Sequence, residues 1–270
     1  MTAPRHILLT GASSGIGLAA ARALTDAGHE VWGTSRDTTR LPVLPRFHPV
    51  RLDLQNTDSI RAATRQAQLE SGGIDVLINN AGDVINAPLE TLAADGLHPQ
   101  FQTLFFGPVE IVRQLLPDMR QRNRGLIINV TSLAARFPIP FNAAYSAAKA
   151  ALGSATECLR LELTGTQIRL VDIQPGDVVT EILRRTRTLD APAYEPNLAR
   201  ARAAEAGKMK HAASPEKVAR LILRLLSDPS PPPRVVVGNF FESRVAPLAD
   251  RLLPRRLIEW AQRRMYDLKG

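Results

Sequence analysis

The chain has 270 residues, with 34 Lys+Arg against 26 Asp+Glu and a single cysteine, Cys158; at roughly 150 residues per domain this allows one large or two small domains, and one cysteine excludes an intrachain disulfide or a cysteine zinc cluster. A composition 44% hydrophobic and 22% charged excludes disorder, and no apolar run suits a signal peptide or a membrane span, so a soluble cytoplasmic protein is expected. The net charge of +8 comes mostly from scattered arginines among only 5% aromatics, a pattern that argues against a nucleic-acid partner.

Apolar, β-branched runs and helix-period segments alternate along almost the whole chain. Residues 7–10 predict the first strand, and Thr10-Gly11-Ala12-Ser13-Ser14-Gly15-Ile16-Gly17 leads into a helix over 16–27 that Gly28 follows. Glycines at such a turn let the backbone approach a pyrophosphate, and the free N–H groups of the helix start attract its charge. Strands follow at 31–34, 50–52, 76–79, 126–130, 169–173 and 235–237. Helices are expected over 57–69, about 97–122, 143–163 and 215–226, the first of these capped by Thr57. Strands joined by helix-length crossovers imply a parallel sheet covered on both faces. The Pro-rich run 228–233 reads as a stiff connector to the last strand. One domain over 1–240 is therefore expected, with 241–270 as a helical extension packing on it.

The spacing T-G-x-x-x-G-x-G in the first turn resembles the short-chain dehydrogenase/reductase family, and further matches run in the family's order to Thr180. The resemblance implies an α/β fold, a Rossmann-type doubly wound parallel sheet of about seven strands flanked by helices, that binds a nicotinamide dinucleotide. By that resemblance Gly11, Ser13, Ser14, Gly15, Ile16 and Gly17 attend the phosphates. After the second strand, Ser35 stands where an acidic residue would favour NAD(H), and Arg36 offers a permanently charged phosphate partner. NADP(H) is preferred on this reading; NAD(H) stays possible if Arg36, beside Asp37, is only a solvated loop charge. The family's counterparts of Asp53 and Leu54 contact adenine, and Asn79-Asn80-Ala81-Gly82 matches its turn beside the cofactor. Pro175, Gly176, Val178 and Thr180 match the run that lines the nicotinamide side.

Tyr145-Ser146-Ala147-Ala148-Lys149 places a phenol and an ammonium on one helical face. A free phenol titrates near 10, and a neighbouring ammonium together with a positive oxidised nicotinamide is expected to favour the phenolate, which suits Tyr145 to general acid/base work. Ser132 lies 13 residues upstream at a strand end and is expected to polarise the same carbonyl, with Thr131 the less suitable neighbour. In the family the lysine also grips the nicotinamide ribose, so Tyr145 and Lys149 count as cofactor contacts too. Leu104 breaks the pattern, standing three residues before Gly107 where many members carry an active-site Asn. In those relatives the amide bonds a backbone carbonyl and places a water towards the lysine; Gln102 and Asn86 are the candidate substitutes here. This departure supports an alternative, a cofactor-binding sensor or scaffold with weak catalysis.

Residues 177–213, which include Arg184, Arg185 and Arg187, read as a substrate lid. Tyr194 and His211 are read as facing solvent in preference to substrate. Phe137-Pro138-Ile139-Pro140-Phe141 is expected at the pocket mouth and suggests a hydrophobic alcohol or ketone, such as a steroid, retinoid or lipid-like carbonyl, unless its phenylalanines simply pack against the lid. In the tail, Leu248 and Leu252 predict one apolar face, and after Pro254 the residues Ile258, Ala261, Met265 and Leu268 predict another. The basic remainder permits peripheral membrane contact, but packing is the favoured reading. The family is usually dimeric or tetrameric, so a homo-oligomer acting on a small molecule is expected.

Overall fold

The predicted strands become one sheet in the computed structural model, which describes residues 3–181 and 186–268. Its strands are His6–Leu9 (β1), Glu30–Ser35 (β2), Phe47–Arg51 (β3), Val76–Asn79 (β4), Gly125–Val130 (β6), Ile168–Pro175 (β7) and Arg234–Val237 (β9). All pairings are parallel, in the order β3-β2-β1-β4-β6-β7-β9. Strand β1 pairs with both β2 and β4, so the chain runs outward in one direction and then the other. This reversal opens a crevice at the carboxyl ends of the strands, the place where open α/β sheets take their ligands. Two short strands, Ile85–Asn86 (β5) and Arg187–Thr188 (β8), pair separately above that edge.

Alternate residues of each strand feed two cores. Ile7, Leu9, Val76, Ile78, Ile128 and Ile173 face Gly15–Asp26 (α1) and Pro215–Ser227 (α7). Leu8, Leu77, Ile127 and Leu170 face Thr57–Ser71 (α2) and Gly107–Gln121 (α4) on the other side. Burial on both sides explains why the strands read as unbroken apolar runs. Asn56, not the predicted Thr57, caps α2, its side chain accepting the Ser59 N–H at 3.0 Å. A fifth helix on the sheet, Ala143–Glu162 (α5), carries Tyr145 and Lys149. It is tied down by a buried chain in which Asn79 donates to Asn129 at 2.9 Å and Asn129 to Thr156 at 2.8 Å.

The helix predicted over 97–122 is not continuous. It divides into Ala94–Phe101 (α3) and α4, separated by a π turn over Gln102–Phe106. Within it the Gly107 N–H reaches back five residues to the Gln102 carbonyl, inserting a residue that a 3.6-residue period cannot reveal. Leu104 lies in this turn, fully buried against Gly82.

The last residues form a π turn over Phe241–Val245 and the helices Ala246–Leu252 (α8) and Arg255–Met265 (α9). They lie across the loop before α5: Arg136 pairs with Asp250, and the Gln262 amide donates to the Pro138 carbonyl at 2.9 Å. The buried face matches the predicted one only at Ile258. Ile258 and Tyr266 turn inward, whereas Leu248, Leu252, Ala261 and Met265 are exposed. Spacing alone found an apolar stripe, but Pro254 and the hydrogen bonds to 136–138 set which side of each helix meets the sheet domain. Among the described residues no helix is long and apolar enough to cross a membrane.

Candidate active site

A cleft of about 730 Å³ lies at the carboxyl edge of the sheet, beside the switch between β1 and β4. The turn after β1 forms its floor. Gly11 adopts φ +71°, a left-handed conformation that favours glycine. Gly17 has another task, since a Cβ there would meet the Gly11 carbonyl oxygen and come within 2.7 Å of Asn80 Nδ2. Gly11, Ser13, Ser14, Gly15 and Ile16 line the cleft, while Gly17 lies behind it and permits the turn. The Thr10 hydroxyl accepts the N–H groups of Asn80 and Ala81 at 2.9 and 3.0 Å, and Asn80 Nδ2 donates to the Thr10 carbonyl at 3.0 Å. The β1 and β4 turns thus hold each other in place.

Arg36, Asp53, Leu54, Asn80, Ala81 and Gly82 line the cleft, as do Pro175, Gly176, Val178 and Thr180. Asp37 lines the same wall beside Arg36 and stays ionised. Its carboxylate accepts the Thr39 N–H and hydroxyl at 3.0 and 2.7 Å, and the Thr39 hydroxyl bond holds its pKa below the ordinary value. Arg40 adds a second guanidinium to the same wall, 3.8 Å from Glu181. Two arginines above a glycine cradle suit an anionic dinucleotide with a further phosphate near Arg36.

Ser132, Tyr145 and Lys149 converge at the centre of the cleft. Ser132 lies two residues beyond β6 with its hydroxyl accepting the Ala134 N–H at 3.0 Å, and it reaches the Tyr145 phenol as well. Thr131 is committed elsewhere, its hydroxyl donating to the buried Asp172. Lys149 is buried, with Nζ 2.7 Å from the Val130 carbonyl and 5.9 Å from the centre of the Tyr145 ring. Burial lowers the Lys149 pKa to about 8, against the opposing pull of Asp172 and Asp83. At Tyr145 the chain's own groups pull in the direction opposite to that expected of the ammonium neighbour. Burial raises the phenol above its ordinary value, Asp177 adds to this, and only the Ser132 hydrogen bond opposes it. Nor does either substitute amide serve Lys149: Gln102 donates to the Leu54 carbonyl at 3.0 Å, and Asn86 accepts from Arg202 at 3.4 Å.

The remaining wall carries residues that motif reading passed over. Helix Asn197–Lys208 (α6) contributes Glu205 and Lys208, and the chain's far end returns to supply Tyr266. Burial raises Glu205 to about 7 and Asp177 to about 6; Asp177 is pushed further by Glu242, and both are opposed by Lys208. Asn142 Nδ2 donates to Glu205 at 2.9 Å, and Lys208 Nζ sits 3.8 Å from the centre of the Tyr266 ring. Only Ile139 of the 137–141 loop lines the cleft, so the wall expected to be apolar carries charge. Asp83, directly after Asn80-Ala81-Gly82, also lines it; burial raises its carboxyl, and Arg36 and Lys149 oppose this. Tyr194 is half-buried and His211 exposed, and both stand outside the lining, the Tyr194 hydroxyl donating to Glu90. Arg187 lines the cleft, while Arg184 and Arg185 lie outside the described residues. Among the described residues no group of His, Cys, Asp and Glu is arranged to hold a metal ion. Of the missed residues, Arg40 and Asp83 had a sequence signal, following recognised turns by a few positions. Glu205, Lys208 and Tyr266 had none, because only tertiary packing brings them to the cleft.

Comparison with known proteins agrees with this geometry. Residues 5–190 match the short chain dehydrogenase family. The chain is 32% identical to 3-ketodihydrosphingosine reductase of Bacteroides thetaiotaomicron, covering 98% of this chain and 99% of that protein. A short-chain dehydrogenase from Streptomyces avermitilis has a TM-score of 0.84 at 29% identity, covering 96% of this chain and 97% of that one. The closed form of a serine dehydrogenase complexed with NADP+ has a TM-score of 0.76 at 27% identity, covering 88% and 96%.

Proposed function

The chain belongs to the short-chain dehydrogenase/reductase family, and we propose that this oxidoreductase moves a hydride between NADP(H) and a carbonyl or secondary alcohol. The observation that carries the reading is the meeting of Ser132, Tyr145 and Lys149 in the same cleft as the glycine cradle and Arg36. NADP(H) supplies or accepts the hydride when bound. Tyr145 moves the proton: burial keeps the phenol protonated at neutral pH, the form that donates to a carbonyl oxygen during reduction. Ser132 steadies that oxygen by a hydrogen bond and orients it towards Tyr145. Lys149 contributes a buried positive charge below the phenol and a donor for a ribose hydroxyl. Arg36, with Arg40 beside it, holds the 2′-phosphate, and the NADP+ of the serine dehydrogenase relative supports the same choice.

The substrate wall supports an amphiphilic compound in place of a purely hydrophobic one. Ile139, Val178 and Met209 offer apolar contact, while Asp177 and Glu205 outnumber Lys208 and are held above the ordinary carboxylate range. Two desolvated carboxyls gain most from a cationic group, such as a substrate ammonium near the reacting carbon. The relatives named for 3-ketodihydrosphingosine and serine, both amino compounds, support this class. A second reading, a cofactor-binding sensor, is favoured only by Leu104, which brings no amide to the relay behind Lys149.

Fluorescence titration with NADPH and NADH, followed by a turnover screen of amino ketones, plain ketones and alcohols, tests the proposal. Tyr145→Phe is expected to retain NADPH binding and to lose about 10²–10⁴ in turnover. Tight NADPH binding with no turnover of any compound would support the sensor instead.

A further inference from the structure

Fifteen large apolar side chains are exposed among the described residues, and nine of them fall within residues 240–265. Such a concentration is unlike the scattered apolar residues of an ordinary surface. Leu248 and Leu252 lie one turn apart on α8, and Leu257 and Trp260 lie one turn apart on α9. The opposite side of α9 is the anchored one, with Ile258 and Tyr266 buried and Gln262 bonded to the Pro138 carbonyl. The outward apolar side chains are therefore not waiting to fold against their own domain.

Charge indicates what covers them. Every acidic residue of this tail is occupied. Glu242 is buried and accepts the N–H groups of Asp177 and Asn239, while Asp250, Glu259 and Asp267 pair with Arg136, Arg255 and Arg200. Arg244, Arg251, Arg256 and Arg263 are exposed, with no ion pair among the described residues. Arg264 lies with its guanidinium carbon 5.3 Å from the centre of the Trp260 ring. The outward surface thus combines leucine and tryptophan with uncompensated arginine, the composition that settles at the boundary between lipid headgroups and acyl chains. A second copy is the poorer partner, because a two-fold interface brings the same patch to itself and would set these arginines against each other.

We infer that α8 and α9 form a docking surface for an anionic phospholipid bilayer. The helices lie in the plane of the headgroups, the leucines and Trp260 enter the apolar boundary, and the arginines engage lipid phosphates. Tyr266 of the same segment faces the other way and lines the cleft, so the docking face and the cleft share that segment. The inference stands apart from the proposed reaction and needs no turnover for its test.

Co-sedimentation with vesicles of phosphatidylcholine alone, and of phosphatidylcholine and phosphatidylglycerol in equal parts, tests it. Binding is expected to the mixed vesicles, to weaken as salt is raised, and to be much weaker on phosphatidylcholine. Tryptophan emission gives a second readout, because the chain has two tryptophans and Trp32 is only 3% exposed against 55% for Trp260. Mixed vesicles should shift the emission to the blue, and Trp260→Phe should abolish the shift. The combined variant Arg256→Gln, Arg263→Gln and Arg264→Gln should weaken binding on the order of 100-fold, at about fivefold per arginine. Its thermal unfolding should match the wild type, since all three side chains are exposed. Failure to bind mixed vesicles, or equal binding to both compositions, would overturn the inference. So would a dimer in light scattering that Leu252→Asp splits, because the face would then be buried between copies.

Discussion

Lys149 should lower the stability of the fold that holds it, in a pH-dependent way. Burial brings its pKa from 10.5 to about 8, which corresponds to about 3 kcal/mol against the charged form in the folded protein. Between these two values the unfolded chain binds the proton and the folded chain does not. Stability therefore rises with pH across that window, and the whole penalty is present below about pH 8. Lys149→Met removes the penalty, but it also deletes the bond to the Val130 carbonyl at 2.7 Å, worth about 1.5–3 kcal/mol for a charged donor. The two effects nearly cancel at neutral pH, so wild type and variant should unfold within about 2 kcal/mol of each other there. From about pH 8 to about pH 9.5 the wild type should gain about 2 kcal/mol that the variant does not. Urea unfolding followed by Trp32 fluorescence measures this, provided the pH stays below about 10, where tyrosine begins to ionise in the unfolded chain. A difference between the two proteins that did not vary with pH would refute the reasoning.

Other residues give separate tests. Arg36→Ala should weaken NADPH binding by about tenfold to 100-fold, the loss of a charged hydrogen bond, and leave NADH binding almost unchanged in the same fluorescence titration. Leu104→Asn should raise turnover while cofactor binding stays intact. Its melting temperature should fall, because an amide replaces a fully buried apolar side chain at about 1–3 kcal/mol. Unchanged turnover in that variant would mean that protons reach Lys149 by another route. For an amino-bearing substrate, KM should rise as the pH falls below about 7 and then about 6, where Glu205 and Asp177 take up protons. Glu205→Gln should remove the upper part of that rise, which steady-state kinetics across the range would detect.

Much of this protein was legible in its residues alone. Unbroken apolar runs separated by helix-length segments dictate a parallel sheet buried on both faces, and the seven strands lie where those runs are. The turn Thr10–Gly17 and the Tyr145–Lys149 pair were legible for a related reason, since each is a local backbone or helical geometry written in consecutive residues. Local patterns could not report how the chain closes on itself. The π turn at Leu104 depends on one inserted residue, and the inward side of α9 on bonds to 136–138. Tyr145 is a clear case, because adjacency in the helix shows the ammonium beside it while only three-dimensional packing shows the burial that raises the phenol. Asp177, Glu205, Lys208 and Tyr266, far apart in the chain, share one wall only because α6 and the tail fold over the sheet edge. Sequence by itself determined the fold and the placement of Tyr145 and Lys149 on one helical face, both built from short-range periodicity. Tertiary structure alone decided the charge around that pair, because burial and long-range proximity exist only once the chain has packed.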